Sequence, residues 1–174
     1  MAAHLRSLHS ADPNWTARYL LPGFDWRINP TEAQGAWEGY LWVPRINAEL
    51  LNAFKAQFLE TARQYNSLGK HDKQYASVLA VAALELRDNL STDELRQTFN
   101  ALPKEGLAEA AKMVARSLGS AGGRRTDYWT HRVKPLIETI WPKSHDKRTG
   151  NESATFYGVM RPRRSTFPRS LQLA

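Results

Sequence analysis

Apolar residues recur at spacings of three and four along five segments of this chain, and no stretch shows a convincing period-two alternation of the kind a half-buried strand needs. The pattern predicts an all-α fold. It is strongest over 47–66, where Leu50, Leu51, Phe54, Phe58, Leu59 and Tyr65 form one stripe and Asn52, Lys55, Gln57, Glu60 and Arg63 the opposite face. Asn47 supplies an N-cap, Glu49 favours the helix dipole and Gly69 offers a left-handed stop. The Ala-rich stretch 71–87 places Tyr75, Val78, Leu79, Ala82 and Leu86 on one stripe and reads as a core helix.

The remaining boundaries are set by capping chemistry. Ser91 and Glu94 form a capping box, with Leu90 able to staple onto Leu95, and open a helix to about Ala101. Pro103 suits the first turn of the next helix, whose Leu107, Ala110, Ala111, Val114 and Leu118 share a face until the Gly119 to Gly123 stretch breaks it as a flexible loop. Trp129, Val133, Leu136, Ile137 and Ile140 form a last stripe, in which Pro135 must kink or divide the helix. Upstream, Asn29, Pro30 and Glu32 read as N-cap, first-turn proline and capping-box partner of a helix to about Trp42, stopped by Pro44. The N-terminal residues around His4 and His9 read as frayed. Short connections between such helices imply an antiparallel helix-hairpin array, HEAT-like or an irregular bundle, and the caps at Asn47 and Ser91 lie near a HEAT-like period without a matching side-chain pattern. One helical domain is expected over 1–149. A basic, partly irregular tail over 150–174 follows, with a short helix near 152–160.

The chain has 174 residues and no cysteine, which excludes disulfides, thiolate metal sites and a cysteine nucleophile and fits a reducing, cytoplasmic setting. No apolar run is long enough for a membrane span. The net charge of +7 is unevenly placed. Residues 124–174 hold 11 of the 24 basic and 4 of the 17 acidic side chains, leaving 13 of each in 1–123. Such a basic third can displace counterions from a polyphosphate, and Arg124, Arg125, Arg132 and Lys134 are the candidate phosphate contacts.

Seven of the aromatic residues fall between Trp15 and Trp42 (Trp15, Tyr19, Phe24, Trp26, Trp37, Tyr40 and Trp42). Because 15–42 carries no basic excess and Trp37, Tyr40 and Leu41 have helical spacing, packing against following helices or a partner outweighs base stacking. Trp26, Trp37 and Trp42 are the candidate partner-interface residues. The doublet His71-Asp72, echoed by His145-Asp146, has the look of a metal-dependent phosphohydrolase motif, but only His4 and His9 precede it, and solvated helix-start residues are the simpler reading. The GSAGGRRT run from Gly119 fails phosphate-loop spacing, and no serine elbow exists. No catalytic, metal-binding or cofactor-binding residue is therefore assigned.

Several blocks carry a likeness: Phe24-Asp25-Trp26, then Ala36-Trp37-Glu38-Gly39-Tyr40-Leu41-Trp42, Phe58-Leu59 through Gln74-Tyr75-Ala76, Leu102-Pro103-Lys104-Glu105-Gly106-Leu107, and Tyr128-Trp129 through Trp141-Pro142-Lys143-Ser144. Over roughly 20–149 the chain resembles an uncharacterised helical region at the C-terminal end of large bacterial multidomain proteins, some with a Sir2-like domain and linked to anti-phage defence. The resemblance implies a sensor, scaffold or assembly surface, with any NAD-consuming activity on a different domain or chain. It departs after Thr149, where Phe156 to Arg164 is basic and irregular rather than amphipathic.

The leading expectation is a non-enzymatic helical interaction module of a bacterial defence-type protein, with another domain or chain, or a second copy, as partner. The alternative is a nucleic-acid-binding helical domain using residues 124–174.

Overall fold

A computed structural model describes residues 4–143, and among these there is no strand. The chain runs through α1 (Leu5–Ala11), α2 (Pro13–Tyr19), a 3-10 turn (Leu21–Phe24), α3 (Pro30–Leu41), α4 (Ala48–Glu60), a 3-10 stretch (Tyr65–His71), α5 (Asp72–Glu85), α6 (Thr92–Ala101) and α7 (Lys104–Ser120). The short α8 (Arg125–Tyr128) then continues into π-helical turns at Trp129–Val133 and Leu136–Ile140. The tail from 144 onward, including the helix expected near 152–160, lies outside the described residues.

The caps form where the sequence places them. Asn47 Oδ1 accepts the Leu50 N–H at 3.1 Å and opens α4. Both halves of the Ser91/Glu94 box are made, with Leu90 and Leu95 buried beside it. Asn29 caps α3 through the Glu32 N–H, and only this forward half of the expected box forms. The N-terminus corrects the expectation of fraying. Asp12 Oδ1 accepts the Trp15 N–H at 2.9 Å and Pro13 occupies the first position of α2, while Leu5 and His9 are buried. Asp12-Pro13 was the signal in the sequence for that helix pair.

Two other boundaries move. Helix α4 ends at Glu60, where the Thr61 hydroxyl donates to the Gln57 carbonyl at 2.8 Å and accepts the Trp26 indole N–H at 2.8 Å, and tighter turns then carry the chain to Tyr65. Gly69 does take a positive φ of 55°, but inside the 3-10 stretch. The break expected at Gly119 comes later, since α7 includes Gly119 and Ser120, a 3-10 turn follows at Gly122–Arg124 and only Gly122 takes a positive φ. Pro135 neither divides nor ends the last helix. It brings no N–H to the ladder, and the turns on both sides widen to π geometry, seen in the Trp141 N–H reaching the Leu136 carbonyl at 2.9 Å.

Packing is an irregular bundle around α5, which is buried on nearly all sides: Tyr75, Ala76, Val78, Leu79, Ala80, Ala82, Ala83 and Leu84. Its small residues let α7 approach closely along its length, and α4 packs on α6. An aromatic interior fills the space between α3, α4 and α5. Trp37 stacks on Phe54 at 5.6 Å between ring centroids and meets Phe24 edge-on at 5.1 Å, and Phe58 and Tyr75 complete the set. Helix α4 has a local break at Phe54 (φ −131°, ψ 26°), within this ring cluster. The last helix is docked by polar ties: Arg96 donates to the Thr139 carbonyl at 3.1 Å, and Tyr128 hydrogen-bonds the Glu85 carboxylate.

Candidate interaction surface

The three tryptophans chosen as interface candidates separate. Trp37 is 0% exposed and donates its indole N–H to the Phe24 carbonyl at 3.1 Å. Trp26 is 6% exposed, with its indole N–H on Thr61. Both belong to this chain's own core, which corrects their assignment to a partner: a buried ring whose single donor is already satisfied has nothing left to present. Trp42 is different. It caps the C-terminal end of α3 at 67% exposure, followed by an exposed Val43.

The surroundings of Trp42 explain its orientation. The Lys70 ammonium sits 5.5 Å from the centroid of its ring, and the His71 ring meets it edge-on at 5.8 Å. His71 itself is only 5% exposed, so it is a packed residue under Trp42 rather than a solvated helix-start residue. Among the described residues no three His, Asp or Glu side chains converge as a metal-ligand set. The second doublet, His145-Asp146, lies outside the described residues.

The connection that begins at Trp42 continues through Pro44, Arg45 and Ile46 into the wall of a groove of about 760 Å³, closed by α1, α5 and α7. Ile46, Val81 and Met113 give it an apolar lining. Arg6, Arg45, Lys73 and Arg116 bring four cations to it, one from each of those four segments, and all four side chains are exposed. None of the four is ion-paired among the described residues, whereas Glu109, the one carboxylate at the groove, is paired with Lys112 at 3.1 Å.

The four basic candidates of the C-terminal third also separate. Arg124 and Arg125 are exposed in the turn after α7. Arg132 is half-buried and donates one guanidinium N–H to the Leu84 carbonyl at 3.2 Å, satisfying the end of α5. Lys134 is exposed and faces Glu138 at 4.0 Å. Lys143 is exposed at the end of the described residues, and the basic residues from Lys147 on lie outside them.

No family model, curated protein or solved structure matches this chain. Among the described residues no helix is long and apolar enough to cross a membrane. The groove was invisible to sequence reading because Arg6, Arg45, Lys73 and Arg116 come from residues 1–123, whose charge sums to zero, and no spacing rule connects them.

Proposed function

We propose that this chain is a non-catalytic helical interaction module of a bacterial defence-type protein, engaging another protein through the Trp42 edge and the groove beside it. The observation that carries the reading is Trp42: a large aromatic left at 67% exposure in a chain that buries Trp26 and Trp37 completely or nearly so. Exposed Trp is costly to leave in water and is enriched among the residues that dominate interfaces. The link to defence rests on the resemblance of the aromatic blocks alone.

The test is co-expression with the products of adjacent reading frames, followed by co-purification with wild type and Trp42→Ala. A partner retained by wild type and lost with Trp42→Ala supports the reading. Equal recovery with both overturns it.

The nucleic-acid alternative draws on Arg124 and Arg125, which are exposed and unpaired among the described residues. Its signature is DNA affinity that persists at physiological salt and drops when both are replaced by glutamine. Binding seen only at low salt marks the charge as incidental.

A further inference from the structure

We propose that the groove between α5, α7, α1 and the 44–46 connection is a docking site for an acidic amphipathic helix of a partner protein. This inference rests on the interaction-module reading and names the chemistry of the occupant.

Three observations select that occupant. The first is charge. Four cations without ion-pair partners among the described residues, Arg6, Arg45, Lys73 and Arg116, surround the groove, and the one carboxylate among its described lining residues, Glu109, is held by Lys112. Like charges gathered from four segments repel one another in the free protein, and an anionic occupant removes that repulsion while guiding the encounter. The second is the lining. Ile46, Val78, Val81 and Met113 are aliphatic or thioether side chains, and among the described residues no aromatic ring lines the groove. Nucleic-acid strands take their binding energy from phosphate contacts together with stacking on rings, whereas leucine-type side chains fit an aliphatic trough with a flexible methionine. The third is continuity. Exposed Trp42 and Val43 directly precede the groove-lining Pro44 and Arg45, so apolar side chains stand exposed on the same connection just before it reaches the groove wall.

The groove volume of about 760 Å³ accommodates several side chains from one face of a helix. The chain's own C-terminal segment does not complement it: residues 144–174 contain Lys147, Arg148, Arg161, Arg163, Arg164 and Arg169 against Asp146 and Glu152.

The probe is a fluorescent peptide of about 18 residues with leucines at i, i+3, i+4 and i+7 and glutamates on the flanking positions, titrated with the full chain by anisotropy. Three comparison probes are a peptide with lysine for every glutamate, one with serine for every leucine, and oligothymidylate. We expect the acidic amphipathic peptide to bind roughly tenfold or more tighter than each of the others. Arg45→Glu with Lys73→Glu should weaken it by about the same factor, while Arg124→Glu with Arg125→Glu, outside the groove, should leave it within about twofold. Circular dichroism of each variant checks that the fold persists, since all four positions are exposed.

Absence of peptide binding overturns the proposal, and equal affinity for the serine peptide or oligothymidylate overturns it in favour of an unspecific polyanion surface. Self-association that Arg45→Glu with Lys73→Glu abolishes, with no peptide binding, assigns the groove to a second copy instead. Retention of the Trp42-dependent partner alongside a negative peptide result removes this occupant without removing the interaction-module reading.

Discussion

The Trp26 indole donates to the Thr61 hydroxyl at 2.8 Å across 35 residues of sequence, and the same hydroxyl donates to the Gln57 carbonyl. One small side chain at the end of α4 thereby fastens the segment before α3 onto it. Thr61 is fully buried, so its hydroxyl has no water to replace either partner. Thr61→Val keeps the shape and strands the indole N–H, a loss of about 1–3 kcal/mol in urea denaturation. Trp26→Phe removes the donor, so Thr61→Val should cost less in that background. An identical penalty in both backgrounds would show that the bond contributes nothing.

Two helical glycines should respond to alanine in opposite directions. Gly35 lies within α3 with open space where a Cβ would stand, so Gly35→Ala gains about 0.5–1 kcal/mol from backbone entropy alone. At Gly106, in the first turns of α7, a Cβ would come to 3.0 Å from Tyr65 Cε2 and 3.3 Å from Leu102 Cδ2. Both neighbours are buried and hemmed in, so the clash outweighs propensity and Gly106→Ala destabilises by about 1–3 kcal/mol. Thermal melts of the two variants should therefore move apart from wild type on either side.

Acid should weaken the start of α6. The Ser91 N–H, donated to Glu94 at 2.7 Å, holds that carboxyl below the usual glutamate range, and Lys55 at 3.0 Å adds to the effect against a smaller desolvation. A carboxylate whose folded value lies below its unfolded one stabilises fully above the unfolded value, and the contribution disappears as pH falls through the folded value. Stability measured from neutral pH down through the carboxylate range should therefore decline more for wild type than for Glu94→Gln. Ser91→Ala should cost about 1 kcal/mol at neutral pH through the lost cap. A Glu94→Gln curve parallel to wild type would contradict the linkage.

What the sequence determined by itself was local. Helical periodicity and the Asn29, Asn47 and Ser91 caps located α3, α4 and α6, because a cap side chain needs only the backbone three residues away. Of the stripe Leu107, Ala110, Ala111, Val114 and Leu118, all but the half-buried Ala111 lie on the buried face of α7, as a 3.6-residue period fixes which side chains share a side. Sequence alone could not say which aromatic residues stay outside. Trp26, Trp37 and Trp42 have the same chemistry, and only tertiary packing separates two core rings from one exposed at 67%. The same holds for charge. Arg132 looked like its neighbours Arg124 and Arg125 until the end of α5 supplied the Leu84 carbonyl, and the four cations of the groove became neighbours only when α1, α5, α7 and the 42–46 connection converged. Periodicity and capping act within a few residues along the chain, whereas burial and electrostatic clustering depend on distances in space that only the assembled bundle fixes.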